Sequence, residues 1–393
     1  MLKATHRQRD QLPDLLRAWA IIGIVLVNVE IFSHSKMDGY PDTALSTPAD
    51  QVAYFLVSTL FTLKSFSLFS LMFGAGLGYQ LDAAMRTGAS AGDRYFRRMS
   101  GLLILGLLHA IFFFIGDILV TYALLGSALY FCRSAAPRTL MRWGVILLVI
   151  QAALLLMSAI SWQVMSGSAD WQDQMALDAQ TNAQLDAIFA DGSFLAVSLE
   201  RLKLLPLMLF SIVLIQGVAA FGYFLIGLAL HKTGLLQQAD HRLWAISRRY
   251  FFPLGLLVSA CGAAILITAS GRQTADAIYA MAVLSLGAPL ATFGYVGWIM
   301  KLVSLGGPLM RFLARGGKAT LSAYLMQSAI LSFVFLEAGL GLFAQLPAAA
   351  TILIALLAGL CTLSLTSLWL LKFDRGPIEI ILRRWTYLER KPI

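Results

Sequence analysis

The sequence predicts an all-α, polytopic integral membrane protein, and three observations support that prediction. Hydrophobic residues make up 59% of the 393 positions, charged residues make up 13%, and the mean hydropathy is +0.75. A soluble domain carries about 25% charged residues. The apolar residues also fall in long runs, and a run of about 20 is what a helix needs to cross the hydrocarbon core of a bilayer. We therefore expect about ten transmembrane helices.

The apolar runs define the predicted spans and their order. These spans cover residues 15–33, 62–81, 99–116, 118–132, 143–162, 204–230, 250–270, 277–300, 319–337 and 348–371. The third and fourth are nearly fused at Gly116-Asp117, which predicts a tight helical hairpin. The charged stretch 231–249 predicts a cytoplasmic linker. It divides an N-terminal bundle of six spans, residues 1–236, from a C-terminal region of four spans, residues 237–393.

The distribution of charge predicts the orientation. The net charge of +9 would also suit a nucleic-acid-binding protein, but the positions of the charges argue against one. Counting spans from a cytoplasmic N-terminus leaves five of the 30 lysines and arginines on the outside: Lys36, Lys64, Arg201, Lys203 and Arg272. This positive-inside bias predicts a multi-pass protein of a bacterial inner membrane with both termini in the cytoplasm. We expect the lipid bilayer as a partner and no nucleic acid.

Two polar segments are not predicted to span. Residues 164–203 are acidic and rich in helix formers, and they predict an external amphipathic cap. Residues 374–390 place apolar side chains on one helical face with arginines nearby, which predicts a helix lying in the cytoplasmic interface. The three cysteines have no paired spacing, so we expect neither a disulfide nor a metal site.

Ionisable residues inside spans are costly and therefore suggest function. His109 lies about two turns inside the third span, roughly 12 Å before Asp117 if the helix continues. A neutral histidine at that depth can serve as a general base, although a histidine bonded only for packing is an equally simple reading. Asp117 begins the fourth span, where it can cap the helix N-terminus or belong to a polar site.

A group of polar residues is predicted to surround Asp117 in the outer half of the membrane. Asn28, Glu30 and His34 lie at the end of the first span, and Tyr122 lies about one turn into the fourth. Together they predict a substrate-binding cluster. Scattered helix caps would not produce this convergence on the outer half of two spans.

The cytoplasmic end offers a different chemistry. Arg17 follows Asp14 by three residues and shares its helix face, which allows either a structural ion pair or an arginine that holds a phosphate or carboxylate. Gly74, Gly76 and Gly78 in the second span suit close helix packing or an opening for a thin acyl chain. The chain contains no Walker A sequence, HExxH, CxxC or GxSxG motif, so ATP-driven transport, zinc proteolysis and serine hydrolysis lose support.

These motifs in combination resemble the YeiB-like bacterial membrane proteins that carry the domain of unknown function 418. The family's opening pattern corresponds to Pro13 through Asn28, and a phenylalanine- and glycine-rich pattern corresponds to residues 66–74. Further matches are Arg97-Arg98, Gly106 to His109, Gly116 to Leu119, Tyr122 to Leu124, Gly307-Pro308, Gly316 to Lys318, Leu321 to Gln327, Gly339 to Phe343 and Gly376 to Glu379. Two departures are Ala18, where the family usually has glycine, and Gly317, for which the sequence offers no explanation.

The resemblance implies a function as well as a fold. The N-terminal half of the family is similar to transmembrane acyltransferases, which take an acyl group from a cytoplasmic acyl-CoA and deliver it to an acceptor across the membrane. By this analogy, His109 would be the catalytic base, and Asn28 and Asp117 would orient the acceptor. Arg17, Arg97 and Arg98 would contact the coenzyme phosphates. Acyl-CoA would be a donor substrate, and the acceptor would be an envelope glycan, lipid or small amine. The sequence leaves open whether the protein forms a homodimer.

Three functions remain in competition at this point. A membrane-embedded acyltransferase predicts a tunnel through the first four spans, from the Arg97 side to Asp117. A transporter or flippase predicts inverted repeats with broken helices meeting near the midplane. A non-catalytic scaffold predicts a solid bundle without a cavity.

Overall fold

The computed structural model describes residues 11–35, 39–88, 90–269, 271 and 273–387. Within these ranges the chain forms α-helices joined by short turns, and no strand is present. The helices are α1 (Leu12–Ser33), α2 (Pro48–Leu60), α3 (Lys64–Thr87), α4 (Ala91–Phe112), α5 (Leu119–Phe131), α6 (Pro137–Met165), α7 (Ala169–Asp191), α8 (Phe194–Ile215), α9 (Gly217–Lys232), α10 (Arg242–Ile246), α11 (Phe252–Thr268), α12 (Ala275–Leu305), α13 (Pro308–Gly317), α14 (Thr320–Phe335), α15 (Ala348–Lys372) and α16 (Pro377–Thr386). The predicted all-α membrane fold is confirmed.

Nine of the ten predicted spans each coincide with one helix, and the predicted span 204–230 covers parts of α8 and α9. Among the described residues, seven helical stretches are long and apolar enough to cross a membrane, and the bent pair α8 and α9 would make an eighth. Helices α5 and α14 are apolar but contain only 13 and 16 residues. A 13-residue helix rises about 20 Å, less than the roughly 30 Å hydrocarbon core. The full count of ten stays a prediction.

Helices α2, α10 and α13 are absent from the predicted set, and α2 is the longest of the three. Helix α2 occupies part of the stretch assigned to the loop between the first two spans. It begins at Pro48 behind a capping box in which Thr47 and Asp50 satisfy each other's backbone N–H groups. The Asp50 Oδ1 atom also accepts a hydrogen bond from the Ala349 N–H group at 2.9 Å, which joins the starts of α2 and α15. The Thr47–Asp50 spacing of this capping box is a local sequence pattern that predicts a helix start.

Two predicted span boundaries are wrong, and the predicted linker 231–249 is incomplete as a description. Helix α4 ends at Phe112, not at residue 116, and α8 begins at Phe194, ten residues before the predicted span. Segment 164–203 therefore holds the amphipathic helix α7 together with the first turns of α8. The stretch 231–249 is more than a charged linker, because Trp244 within it is fully buried in the main apolar core.

Close helix packing explains part of the glycine run in α3. A Cβ atom on Gly74 would overlap the backbone of Phe224 in α9, and one on Gly227 would overlap the backbone of α3 at Leu71. Gly78 is similarly covered by the ring of His231, whereas Gly76 has open space around it. The packing interpretation of this run therefore holds at Gly74 and Gly78.

Helix α16 is amphipathic, as predicted for an interfacial helix. Leu382 is buried against α4, Ile381 and Trp385 remain exposed, and the Trp385 indole donates to the Ser100 hydroxyl at 3.0 Å. Glu379 accepts hydrogen bonds from the backbone N–H groups of Leu321 and Ser322 at 2.8 and 3.2 Å. The Glu379 carboxylate therefore caps the N-terminus of α14.

Candidate functional site

A chain reversal between α4 and α5 brings His109 and Asp117 into contact. The His109 Nδ1 atom lies 2.7 Å from the Asp117 Oδ2 atom, and both side chains are fully buried. The 12 Å separation expected from a continuous helix is wrong, because α4 ends at Phe112 and the backbone folds back over residues 113–118. The N–H groups of Phe113 and Phe114 both bond to the His109 carbonyl and close the helix at this point.

Asp117 caps a helix N-terminus, which is one of the two roles that the sequence left open, and it also contacts His109, but it does not line the cavity with Asn28, Glu30 and Tyr122. Its Oδ1 atom accepts a hydrogen bond from the Val120 N–H group at 2.9 Å, which caps the start of α5. Its Oδ2 atom engages His109. Because a carboxylate can only accept hydrogen bonds, the His109 Nδ1 atom carries the hydrogen and donates it. The Nε2 atom is then the proton-accepting nitrogen, and it is buried without a hydrogen-bond partner.

Two side chains from other helices hold the reversal in place. Arg201 in α8 is buried, and its Nη1 atom donates to the Phe112 carbonyl oxygen at 2.8 Å, where a cation complements the helix C-terminus. Ser332 in α14 donates to the Phe113 carbonyl oxygen at 3.0 Å. The sequence placed Arg201 among the external charges, and its distance of 89 residues from Phe112 left no local signal for this contact.

Aromatic rings separate the His109–Asp117 pair from a large cavity. The His109 ring centroid lies 4.8 Å from that of Tyr324 and 6.2 Å from that of Phe114. Both rings also line a cavity of about 510 Å³. His109 and Asp117 themselves do not line it. The pair therefore lies directly behind the cavity wall.

The cavity collects most of the predicted substrate-binding residues. Asn28, Glu30 and Tyr122 line it, together with apolar residues of α6, α8 and α12. The Tyr122 hydroxyl also bonds the Ser70 hydroxyl at 2.5 Å. His34 lies behind the lining, with its ring edge against Tyr40 and its Nδ1 atom 2.9 Å from the Ser33 hydroxyl. Burial lowers the pKa of His34 to about 4, and the nearby Glu30 carboxylate opposes that shift.

The predicted arginines lie near the opposite ends of α1 and α4 from this cavity. The Arg17 Nη1 atom is 3.4 Å from the Asp14 Oδ1 atom, so the ion pair expected between them is present. Arg98 interacts electrostatically with Arg17 and with Glu379. None of Arg17, Arg97, Arg98 and Asp117 lines the cavity, so this cavity is not the predicted tunnel between the arginines and Asp117.

The structure explains the unusual glycine before Lys318. A Cβ atom on Gly317 would overlap the backbone carbonyl of Asp14, and it would also lie close to the Ala18 side chain. Helix α13 therefore packs backbone to backbone on the start of α1. Any larger residue at position 317 would push α13 away from the start of α1, the helix that carries Arg17.

A second histidine–aspartate pair escaped the sequence analysis. The His231 Nε2 atom lies 3.0 Å from the Asp82 Oδ2 atom, and the two residues are 149 positions apart. Among the described residues, no group of three or more histidine, cysteine, aspartate or glutamate side chains could hold a metal ion.

Comparison with known proteins gives a family but no activity. Residues 230–389 match the family model described as "Protein of unknown function (DUF418)". The chain is 28% identical to the uncharacterized protein YxaH of Bacillus subtilis (strain 168), over 97% of this chain and 94% of that protein. It is 27% identical to the uncharacterized protein YeiB of Escherichia coli (strain K12), over 96% of each. No solved structure matches. These matches support a YeiB-like DUF418 protein: the similarity to YxaH and YeiB extends along the whole chain, and the DUF418 family model matches its C-terminal part.

Proposed function

We propose that this protein is a membrane-embedded acyltransferase that moves an acyl group from a cytoplasmic acyl-CoA to an acceptor of the cell envelope. One observation carries the proposal. A fully buried carboxylate holds His109 by its Nδ1 atom and leaves the Nε2 atom without a partner, next to a cavity large enough for a substrate. A histidine fixed in this way is arranged as a general base.

The His109–Asp117 pair supplies the chemistry of the transfer. Asp117 fixes the tautomer and orientation of the imidazole, and the His109 Nε2 atom takes the proton of the attacking group on the acceptor. A positioned base contributes roughly 10²–10⁴ in rate. The Phe114 and Tyr324 rings stand between this nitrogen and the cavity, so one of them must move when the acceptor binds.

The arginine end supplies contacts for the donor. Arg98 precedes His109 by eleven residues on α4, which corresponds to about 16 Å of helical rise. An acyl carrier whose phosphates bind Arg17 and Arg98 would have to extend its arm along α4 to reach the base. Charge-assisted hydrogen bonds are each worth about 1.5–3 kcal/mol, so replacing both arginines with glutamine should weaken coenzyme A binding tenfold or more in calorimetry. Unchanged binding would remove the two arginines from the donor site.

The proposal also fixes an orientation in the bacterial inner membrane. Both termini would face the cytoplasm, so that the arginines meet the donor there and the cavity faces the external half. Reporter fusions at Gln237 should then read as cytoplasmic, and a fusion at Asp178 should read as external. The opposite pattern would put the arginines on the wrong side for a cytoplasmic donor.

The experiment that tests the function uses His109→Gln. Glutamine keeps a hydrogen-bond donor for Asp117 but removes the proton-accepting nitrogen. We expect a variant with a melting temperature near that of the parent and a loss of acyl transfer of about 10²–10⁴-fold. Stability and transfer are measured on the same preparation. Destabilisation with full activity per folded molecule would mean that His109 has a structural role only.

A second candidate function is transport of a small molecule or lipid. Helices α8 and α9 meet at a bend of 51°, and Gln216 at the break lines the cavity. Broken helices beside a substrate cavity are typical of transporters. Uptake by the protein in proteoliposomes without acyl-CoA would favour this alternative. A non-catalytic scaffold is less well supported, because a scaffold predicts a solid helical bundle and this protein contains a cavity of about 510 Å³.

A further inference from the structure

The charge of the cavity indicates which ligand it selects. Of the described residues that line it, Glu30 alone carries a formal charge, and most of the others are apolar or aromatic. The nearby Lys64 is buried outside the lining, where its Nζ atom donates to the Ser58 carbonyl oxygen at 3.0 Å. The long apolar walls of the chamber favour a hydrocarbon chain, and a carboxylate in the wall is a polar group that can orient a cationic head group.

The surroundings of Glu30 are suited to a cationic head group. Its Oε1 atom accepts hydrogen bonds from the Tyr40 N–H group at 3.2 Å and from the Tyr54 hydroxyl at 3.4 Å, which fixes the carboxylate at the cavity surface. The Tyr40 and Tyr54 rings meet edge to face with centroids 5.4 Å apart, and both line the cavity. Tyrosine rings beside a carboxylate are compatible with a bound cation, because the face of an aromatic ring attracts positive charge.

We infer that the cavity binds an amphiphile with one cationic amine and an apolar chain, the amine lying against Glu30. If the proposed acyltransferase function holds, on which this part of the inference rests, the amine is also the acyl acceptor. The ammonium group first gives one proton to the Glu30 carboxylate. The neutral amine nitrogen then attacks the thioester carbonyl carbon while the His109 Nε2 atom takes a second N–H proton. The carbon–sulfur bond breaks, and the departing thiolate receives that proton from His109. The products are an amide and coenzyme A, with one proton left on Glu30.

Photo-crosslinking in nanodiscs tests the binding step without any acyl donor. The probes are a hexadecylamine that carries a photoactivatable group in its chain, the matching hexadecanol, and a phosphatidylethanolamine with the same group in an acyl chain. We expect the amine to label peptides of α8 and α12 at least about tenfold more than the alcohol. Strong labelling by the phosphatidylethanolamine would identify a lipid head group as the source of the amine. Labelling by hexadecylamine alone would identify a free long-chain amine.

Three variants separate this inference from the proposed function. Glu30→Gln should remove the preference for the amine, whereas Glu337→Gln changes an exposed carboxylate outside the cavity and should retain it. His109→Gln should also retain the preference, because His109 does not line the cavity. Equal labelling by amine and alcohol in the parent, or an unchanged preference in a folded Glu30→Gln variant, would overturn the inference. Amine-selective labelling in a protein that transfers no acyl group would overturn the proposed function and leave the binding site standing.

Discussion

The two histidine–aspartate pairs of this protein have the same chemistry and different surroundings. In the pair of α4 and the turn before α5, the side chains of His109 and Asp117 are 1% and 0% exposed. In the pair of α9 and α3, the side chains of His231 and Asp82 are 9% and 46% exposed. Water therefore solvates the Asp82 carboxylate but cannot reach Asp117.

The difference shows that burial, and not the pairing itself, creates a candidate catalytic base. A hydrogen bond is electrostatically stronger in a medium of low dielectric constant, so Asp117 fixes one tautomer of His109 firmly. A pair at the surface contributes little and exchanges readily with water. His231 also packs its ring edge on Tyr79, with centroids 4.4 Å apart, and covers Gly78, which indicates a role in joining α9 to α3.

The largest expected effect is the difference in the rate of acyl transfer between Asp117→Asn and Asp82→Asn. Asp117→Asn should lower the rate of acyl transfer by about 10²–10⁴-fold, because an amide can stabilise the wrong tautomer of His109. Asp82→Asn, the matched variant of the exposed pair, should leave the rate within about twofold. Both rates are measured with the same acyl-CoA. Equal losses in the two variants would contradict the distinction drawn between the pairs.

His34, a third buried histidine, predicts that the stability of the protein depends on pH. The pKa of His34 is about 4 in the folded protein and about 6.5 in an unfolded chain. The unfolded state therefore binds the proton more tightly, and the free energy of unfolding should fall as pH drops from about 6.5 towards 4, by roughly 3 kcal/mol in total. Thermal unfolding of the parent and of His34→Gln across this range measures the effect. A variant with the same pH profile as the parent would assign the loss to other groups.

Replacing the histidine of each pair should lower the free energy of unfolding by different amounts. His109→Phe leaves the Asp117 carboxylate buried without its donor and should lower the free energy of unfolding by about 1.5–3 kcal/mol. His231→Phe leaves a half-exposed carboxylate that water can solvate, so the expected cost is below about 1 kcal/mol. Chemical unfolding of both variants in one detergent makes the comparison. A larger loss in His231→Phe would show that packing between α3 and α9 outweighs the buried pair.

The smallest effect is expected at Tyr122, one turn beyond Asp117. Tyr122→Phe removes the hydroxyl that bonds Ser70 and should cost about 1 kcal/mol of stability. If this tyrosine only supports the cavity wall, transfer activity per folded molecule should stay within about threefold of the parent. A drop of a hundredfold would instead place the Tyr122 hydroxyl in contact with the reacting groups.

The sequence by itself determined the membrane class, the positions of the apolar helices and the polar residues worth testing. Long apolar runs and the cost of intramembrane charge are local properties, so they can be read one segment at a time. Asp14 with Arg17 is such a case, since three residues along a helix bring the two side chains to one face.

Only the tertiary structure decided which polar residues meet. The turn at residues 113–118 closes the distance between His109 and Asp117, and it is held by Arg201 and Ser332 from distant helices. The separation of His109 from the cavity by Tyr324 likewise depends on a contact between α4 and α14. Such contacts join residues far apart in the chain, and their formation depends on how the helices pack together. No local pattern of residues specifies that packing.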